Sequence, residues 1–397
     1  MKIALVHHFP LKDIDNATPK HFLGIANILR EMGIDVEFFV LSNRNAVSTF
    51  NGYRQHEVKG FIYPNHSTPL KVPEFISLTL VNKRPLMWAM NRTNKLVQRI
   101  EIYSPDVIII GDFVLSKMFR RYKKSHKAIK IISLMDSPEM IYSNLNSITN
   151  TSVPIKNIIK KTLRHNYIKY NLKMFQDMAD ISDVVVTSAD TARVSIIKEF
   201  PKYQKKVIAI SPYFVSEIDK KKKFAIKRNI NKVLFIGSYA HGPNMEAIEN
   251  IRIKISPRLP KKKFFIAGKG CPISKEGNII YLGTVSDLPK LLNSVDLCIS
   301  PNATGSGRKA KVFDYLSAHK AILGTSIAFE GYEIKNNENV IIEDDINKFP
   351  ERVMELDRNT KLLIRIQKNT QKVIEKYSQK NIASLWMKVL TLVIATH

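Results

Sequence analysis

A guanidinium, an amine and a carboxylate stand at short spacing in the run Gly305-Ser306-Gly307-Arg308-Lys309-Ala310-Lys311-Val312-Phe313-Asp314. Glycines let a backbone come close to a ligand. A helix that starts directly after them presents free N–H groups and the positive end of its dipole, which is chemistry for holding an anion. Arg308 and Lys311 are three positions apart, a spacing that predicts one shared helix face and a common reach to that anion. Asp314 falls further along, where a carboxylate can accept hydrogen bonds from sugar hydroxyls. Two phosphates followed by a ribose diol, as in a nucleotide-diphosphate sugar, present their groups in this order. A Gly-x-Gly turn alone is a weak signal, because an ordinary tight turn before a solvated basic helix reads the same way.

The neighbouring elements narrow the reading. Asp296–Ser300 is a short apolar run of buried-strand type, and Val312, Tyr315 and Leu316 recur at helical spacing after the glycines. Upstream, Lys232–Ser238 reads as a strand running into a turn at Gly237 and Ser238. Pro243 then suits the first turn of a helix. Downstream, Lys320–Thr325 is another strand, leading into Ile327–Gly331 with Glu330 in it. Together these stretches resemble the nucleotide-binding half of a GT-B glycosyltransferase of the family 4 type. The branch they resemble carries Gly-Ser-Gly-x-x-x-Lys-x-x-Glu in place of the commoner Glu-x7-Glu. The resemblance is strong over about residues 232–335 and weaker before them.

The resemblance implies that Arg308 and Lys311 neutralise the donor pyrophosphate and that the residue at Asp314 holds the ribose. Gly237, Ser238, Gly305, Ser306, Gly307 and Glu330 complete the implied donor site. Two departures from the family pattern stand out. The family usually has glutamate where this chain has the shorter Asp314. Ser306 stands where the first glutamate of the commoner pattern lies, so a direct carboxylate contact to the donor sugar is missing or comes from elsewhere.

The first half alternates strand and helix in the manner of a doubly wound parallel sheet. Strands are expected at Lys2–His7, Asp35–Leu41, Asp106–Gly111, Ile129–Leu134, Asp183–Ser188 and Lys206–Ile210, with a helix over Lys20–Met32. Residues 140–178 read as a helical insertion. The second half repeats the scheme at Val233–Gly237, Phe264–Gly268, Asn278–Gly283, Asp296–Ser300, Ala321–Thr325 and Val340–Glu343. Ligands in such sheets bind at the carboxyl ends of the strands. On the N-terminal side those ends offer His8, Asp112 and Asp136. Asp136 suits a sugar hydroxyl or an orienting contact to the acceptor, and equally a helix cap with Ser137. His8 stands where it can assist at the reacting centre, although a histidine at a strand end is more often structural. Thr18-Pro19 stands where the family commonly has a Gly-Gly pair, and Thr18 suits either an approach to the donor phosphate at the next helix start or, in preference, an ordinary helix N-cap.

With 397 residues the chain suits two domains of about 200 residues each. Two cysteines, Cys271 and Cys298, exclude a disulfide framework and suit a reducing compartment. The N-terminal apolar run is too short for a signal peptide, and no stretch approaches the roughly 20 apolar residues of a transmembrane helix. Leu385–Ala395 reads as a terminal helix packed on the body. No Asp-x-Asp at a strand end and no His/Cys cluster points to a metal, and Asp344-Asp345 reads as a helix N-cap pair. The net charge of +27 calls for an anionic partner or simply a Lys-rich solvated surface. Residues 116–130 carry seven basic side chains and no acid. Residues 155–175 place Lys156, Lys160, Lys161, Arg164, Lys169 and Lys173 among apolar side chains, again with no acid. A basic amphipathic helix of that kind suits an anionic membrane surface or a core-facing helix with a wet basic face. No nucleic-acid motif accompanies the charge.

These observations lead to one set of expectations. The fold is α/β of the GT-B type, two doubly wound Rossmann-like domains with a cleft between them. Residues 1–212 are expected to form the acceptor-binding domain and residues 213–377 the nucleotide-sugar-binding domain, and the resemblance implies that residues 378–397 are a helix crossing back to the first. The hinge lies near Ile210–Lys227. The resemblance implies retaining glycosyl transfer from a nucleotide-diphosphate sugar, UDP-linked before GDP-linked, and neither a metal nor a separate cofactor is expected. The acceptor is a hydroxyl of a lipid-linked or other glycan, used for surface polysaccharide or protein glycosylation. The location is cytoplasmic, on the inner face of the membrane if the charge serves that surface. The competing readings are a GT-B nucleotide-sugar epimerase and a non-catalytic phosphoglycan- or nucleic-acid-binding protein on a transferase scaffold.

Overall fold

The computed structural model describes residues 1–7, 11, 17–42, 45–59, 94–111, 128–134, 172–212, 225–239, 241–305 and 307–396. These residues fall into two compact units. The first unit holds strands β1 (Lys2–His7), β2 (Asp35–Ser42), β3 (Ala46–Phe50), β4 (Tyr53–Lys59), β5 (Val107–Ile110), β6 (Ile129–Leu134), β7 (Val184–Thr187) and β8 (Val207–Ala209). Helices α1 (Ala17–Glu31), α2 (Asn94–Tyr103) and α3 (Asp190–Glu199) belong with them. The second unit holds β9 (Lys232–Ile236), β10 (Lys263–Ala267), β11 (Ile273–Glu276), β12 (Ile279–Leu282), β13 (Leu297–Ser300), β14 (Ala321–Gly324) and β15 (Ile341–Ile342). Its helices are α4 (Gly242–Asn250), α5 (Leu288–Ser294), α6 (Ala310–Ser317), α7 (Phe349–Arg358) and α8 (Thr360–Lys376). The last helix, α9 (Gln379–Thr396), belongs to the first unit, where it packs against α1 and buries Trp386 completely.

Continuous apolar runs make the central strands. All four residues of β5 and of β7 are buried, as expected of parallel strands covered on both faces. The first sheet runs in the order β3-β4-β2-β1-β5-β6-β7-β8 and the second β11-β12-β10-β9-β13-β14-β15. Each expected strand falls within one residue of an observed one.

Both sheets are mixed rather than purely parallel, which corrects the doubly wound parallel expectation at one edge of each. β3 and β4 form an antiparallel hairpin, with Asn51 and Gly52 both at positive φ (50° and 76°) in its two-residue turn. That is the turn whose twist matches paired strands and which favours Asn-Gly. β11 pairs antiparallel with β12, and all four of its residues are exposed, so no hydrophobic pattern marks it. α1 begins at Ala17, three residues ahead of the expected start. Thr18 therefore lies inside the helix rather than capping it.

Several expectations fall outside the described residues: His8, Asp112, Asp136, Ser306, most of the 140–178 insertion, most of both basic segments, and the centre of the hinge region.

Candidate donor site

In the second sheet the chain moves from β9 to β10 on one side, and β13 later pairs with β9 on the other. The strand order reverses between β9 and β13. Doubly wound sheets bind ligands outside the carboxyl ends of the strands at such a reversal. Both loops with the expected donor residues leave from this point: Gly237-Ser238 after β9, and Gly305 to Lys309 after β13.

The two loops are tied together by buried polar contacts. Asn302, 2% exposed, donates through Nδ2 to Pro243 O (2.7 Å) at the start of α4. Ser300 Oγ donates to Asn302 Oδ1 (2.7 Å), and Thr325 Oγ1, after β14, donates to Asn302 O (2.6 Å). Thr304 donates to Glu246 on α4. A Cβ on Gly268 would stand 2.1 Å from Gly237 O, so the turn after β10 lies directly against the turn after β9. α6 is fixed to the sheet by Tyr315, whose hydroxyl accepts the Ile236 N–H at 2.8 Å.

Arg308 and Lys311 do not share a helix face, contrary to the expectation from their spacing. α6 begins at Ala310 with Lys309 as its N-cap, so Arg308 precedes the helix. Gly307, at φ 69°, sets its own direction there. The Arg308 side chain turns to two tyrosines. Its guanidinium carbon lies 4.8 Å from the Tyr332 ring centroid and 4.4 Å from that of Tyr377, and one Nη donates to Gly331 O. A planar cation with weakly hydrated faces suits such stacking. Arg308 is only 6% exposed, and among the described residues nothing accepts from its Nε or its other Nη. Burial pulls its pKa down. A buried guanidinium with open donors is costly to keep unless a ligand supplies the acceptors.

Lys311 points the other way, toward β9 and α4. Its Nζ donates to Asn244 Oδ1 at 2.7 Å and sits 4.1 Å from the Phe235 ring centroid. Burial, helped by the charge of Lys309, lowers its pKa to about 7. Lys309 donates to Gly307 O (2.7 Å) and lies 3.7 Å from Glu330 Oε2. Glu330 is thus engaged by a lysine at the edge of the same loop. Asp314 is 5% exposed on α6, and its charge contributes to raising the pKa of the Tyr332 phenol. Three residues outside the expected set belong to the constellation: Asn244, Tyr332 and Tyr377. Tyr332 OH donates to Lys309 O (2.8 Å), and Tyr377 OH accepts the Glu333 N–H (2.6 Å). The only sequence signal for Asn244 is its place just after Pro243, and nothing in local spacing marks the tyrosines.

Among the described residues no three His, Cys, Asp or Glu side chains come together to hold a metal. Asp345 accepts from Asn347 N at the start of a short 3-10 turn, as a cap does, whereas Asp344 accepts from the backbone and hydroxyl of Ser326.

In the first unit the strand order reverses between β1 and β5. His7 closes β1 and is buried beside Phe22 and Phe38. His21 of α1 lies 3.1 Å from Ser133 Oγ of β6.

Comparison with known proteins agrees with this architecture. Residues 230–359 match the family described as Glycosyl transferases group 1. No curated protein sequence matches the chain. Among solved structures, a sucrose-phosphate synthase from Thermosynechococcus elongatus superposes with a TM-score of 0.71 at 10% identity, covering 100% of both chains. A TarM variant from S. aureus, solved with Fondaparinux, alpha-GlcNAc-glycerol and UDP, gives 0.67 at 12% identity, covering 98% of this chain and 99% of its own. Anabaena HepE in complex with UDP-glucose gives 0.57 at 13%, covering 98% and 99%. The chain therefore has the GT-B fold, and the unit with the Arg308–Lys311 loop is the one that matches glycosyl transferases group 1.

Proposed function

We propose that this protein is a retaining glycosyltransferase that moves a sugar from a UDP-sugar to an acceptor hydroxyl. The observation that carries the reading is Arg308: a buried guanidinium, two of whose nitrogens meet no acceptor among the described residues, beside a glycine turn at the strand-order reversal of a nucleotide-binding type of sheet. Arg308 and Lys311 follow that turn in sequence and supply two separate cationic groups, which suits the two phosphates of one diphosphate better than a single anion. The Asp314 carboxylate takes the ribose. The GT-B neighbours solved with UDP and UDP-glucose support a uridine donor.

Transfer breaks the bond between the anomeric carbon and the β-phosphate oxygen and forms one to the acceptor oxygen. UDP leaves with the bonding pair. Arg308, Lys311 and the start of α6 stabilise the charge that develops on it, in place of a divalent ion. Retention keeps the departing phosphate oxygen on the face where the acceptor enters, so that oxygen is the base nearest the acceptor proton. His8 and Asp136 are assigned to the acceptor side. The acceptor is a lipid-linked glycan at an anionic membrane surface, a reading supported by the net charge of +27 and by the resemblance of the fold to a lipopolysaccharide outer core galactosyltransferase. Among the described residues no helix is long and apolar enough to cross a membrane.

The test is nucleotide binding followed by turnover. UDP-glucose, UDP-GlcNAc or UDP-galactose should raise the melting temperature, because a ligand that binds only the native state stabilises it. Arg308→Ala and Lys311→Ala should each remove that shift, and release of UDP should need an added glycan acceptor. A chain that ignores every UDP- and GDP-sugar is not a transferase of this kind.

A further inference from the structure

Asn244 joins the two loops at the strand-order reversal in a way that nothing in its sequence setting announces. Its Oδ1 accepts from Lys311 Nζ at 2.7 Å, and its Nδ2 donates to Ser238 O at 3.1 Å. One amide thus bridges the turn after β9 and the first turn of α6. The position is built for it. A Cβ on Gly237 would stand 2.7 Å from Asn244 Cγ, so a side chain at 237 would displace the amide. Pro243 beside it is held through its carbonyl by Asn302.

We propose that Asn244 is a positioning residue for the donor: it holds the Lys311 amine against β9 in the empty site and releases it to the diphosphate as the donor enters. The proposal rests on the donor-site reading above and deepens it. The groups around the amine show what the release entails. From its own segment comes Lys309, which repels it. From α4 comes Asn244, while Glu246 on the same helix accepts from Thr304. From β9 comes only the face of Phe235, and Glu330 lies against Lys309. No carboxylate pairs with Lys311 among the contacts described for it, and burial lowers its pKa to about 7. A neutral amide is a poor counter-ion, so the amine easily sheds its proton in the empty site. It must regain one from solvent to face two phosphates. Each donor bound above about pH 7 therefore takes up a proton, and affinity falls about tenfold per pH unit.

The experiment measures UDP-glucose affinity by calorimetry from pH 5.5 to 9 for the wild type, Asn244→Asp, Asn244→Ala and Lys311→Ala. UDP-glucose serves because its phosphates keep a fixed charge over that range. The wild type should bind at constant affinity below about pH 7 and lose affinity above it. Asn244→Asp, the same size with a carboxylate, should pair with the amine, move the break up by at least one pH unit and weaken binding at pH 6 severalfold. Asn244→Ala removes the acceptor and should move the break down. If both variants keep the wild-type break, or weaken binding without moving it, Asn244 is a structural residue only and the proposal falls. If Lys311→Ala also binds like wild type, the donor-site reading falls with it. If Lys311→Ala alone loses binding, that reading stands and only the role of Asn244 is lost. Should Asn244→Ala fail to fold, the isosteric Asn244→Asp still decides.

Discussion

The Arg308 guanidinium lies 4.4 Å from the ring centroid of Tyr377, the residue that follows α8 and stands two positions before α9 begins. The same tyrosine receives the Glu333 N–H on its hydroxyl and meets Tyr332 edge-on at 5.5 Å. The loop with Arg308 is therefore braced against the residue that follows the last helix of its unit.

Tyr377→Phe keeps the ring and removes the acceptor for Glu333 N–H. A lost acceptor for a partly buried donor costs about 1–2 kcal/mol, so the midpoint of urea unfolding should drop while UDP-sugar affinity changes little. Tyr377→Leu removes the stacking face as well. It should cost more stability and also weaken donor binding, because Arg308 then has one ring instead of two. Equal donor affinity in both variants and the wild type would show that the brace serves stability alone.

Lys311 predicts a trade between stability and binding. Its pKa is about 7 in the folded, empty protein against 10.5 for an unhindered lysine. Between those values the unfolded chain binds more protons than the native one, so this group makes stability rise with pH across that window. Below about pH 7 the penalty for burying the charge is present in full. Lys311→Met should therefore raise the melting temperature of the empty protein at pH 6 and have less effect at pH 9, while abolishing UDP-sugar binding. A melting temperature that falls equally at both pH values would mean that the amine is well solvated or well paired in the empty site.

What the residues disclosed in advance follows their physics. Strands such as Val107–Ile110 and Val184–Val186 are continuous apolar runs because they are buried on both faces, and that pattern is local. β11 carries no such pattern, since its four residues face solvent. The β3–β4 hairpin did have a signal, Asn51-Gly52, but β3 beside it alternates only between half-buried and exposed, and β4 buries the polar Gln55 and Glu57. At the donor site, residue types were legible and directions were not. The three-residue spacing of Arg308 and Lys311 implies a shared face only if the helix covers both, and it begins at Ala310. The partners that draw Arg308 away, Tyr332 and Tyr377, come from segments far along the chain, where local spacing carries no information.

Gly268→Ala tests the contact between the turns after β10 and β9. The added Cβ would stand 2.1 Å from Gly237 O, a backbone atom that cannot swing aside as a side chain does. The turn at Gly237-Ser238 must shift, and with it the amide of Asn244 that Ser238 holds. Loss of UDP-sugar affinity together with roughly 2 kcal/mol or more of stability is expected, within the range for overpacking a rigid site. Wild-type unfolding and binding in Gly268→Ala would mean that the two turns separate freely.

Metal dependence has a direct answer. The leaving diphosphate is assigned to Arg308, Lys311 and the start of α6, so transfer should continue at an unchanged rate in excess EDTA. Activity that EDTA removes and Mg²⁺ or Mn²⁺ restores would assign that charge to an ion instead.

The membrane reading rests on charge and is tested by salt. Residues 116–130 carry seven basic side chains without an acid, and Lys156, Lys160, Lys161 and Arg164 lie in a second acid-free stretch. Each Lys or Arg close to an anionic leaflet contributes about 1 kcal/mol, and the attraction is confined to roughly 10 Å at 0.1 M salt. Vesicles containing phosphatidylserine or phosphatidylglycerol should bind the protein at low ionic strength and release it as salt rises. Neutral phosphatidylcholine vesicles should not bind it. Changing Lys156, Lys160, Lys161 and Arg164 together to glutamate reverses four charges and should abolish vesicle binding. Arg308 and Lys311 belong to the second unit and lie far from these positions in sequence, so UDP-sugar affinity should stay at its wild-type value in that variant. Transfer to a lipid-borne acceptor should fall while transfer to a soluble glycan does not. Wild-type protein that ignores anionic vesicles even at low salt would leave the +27 charge as a solvated surface and point to a soluble acceptor.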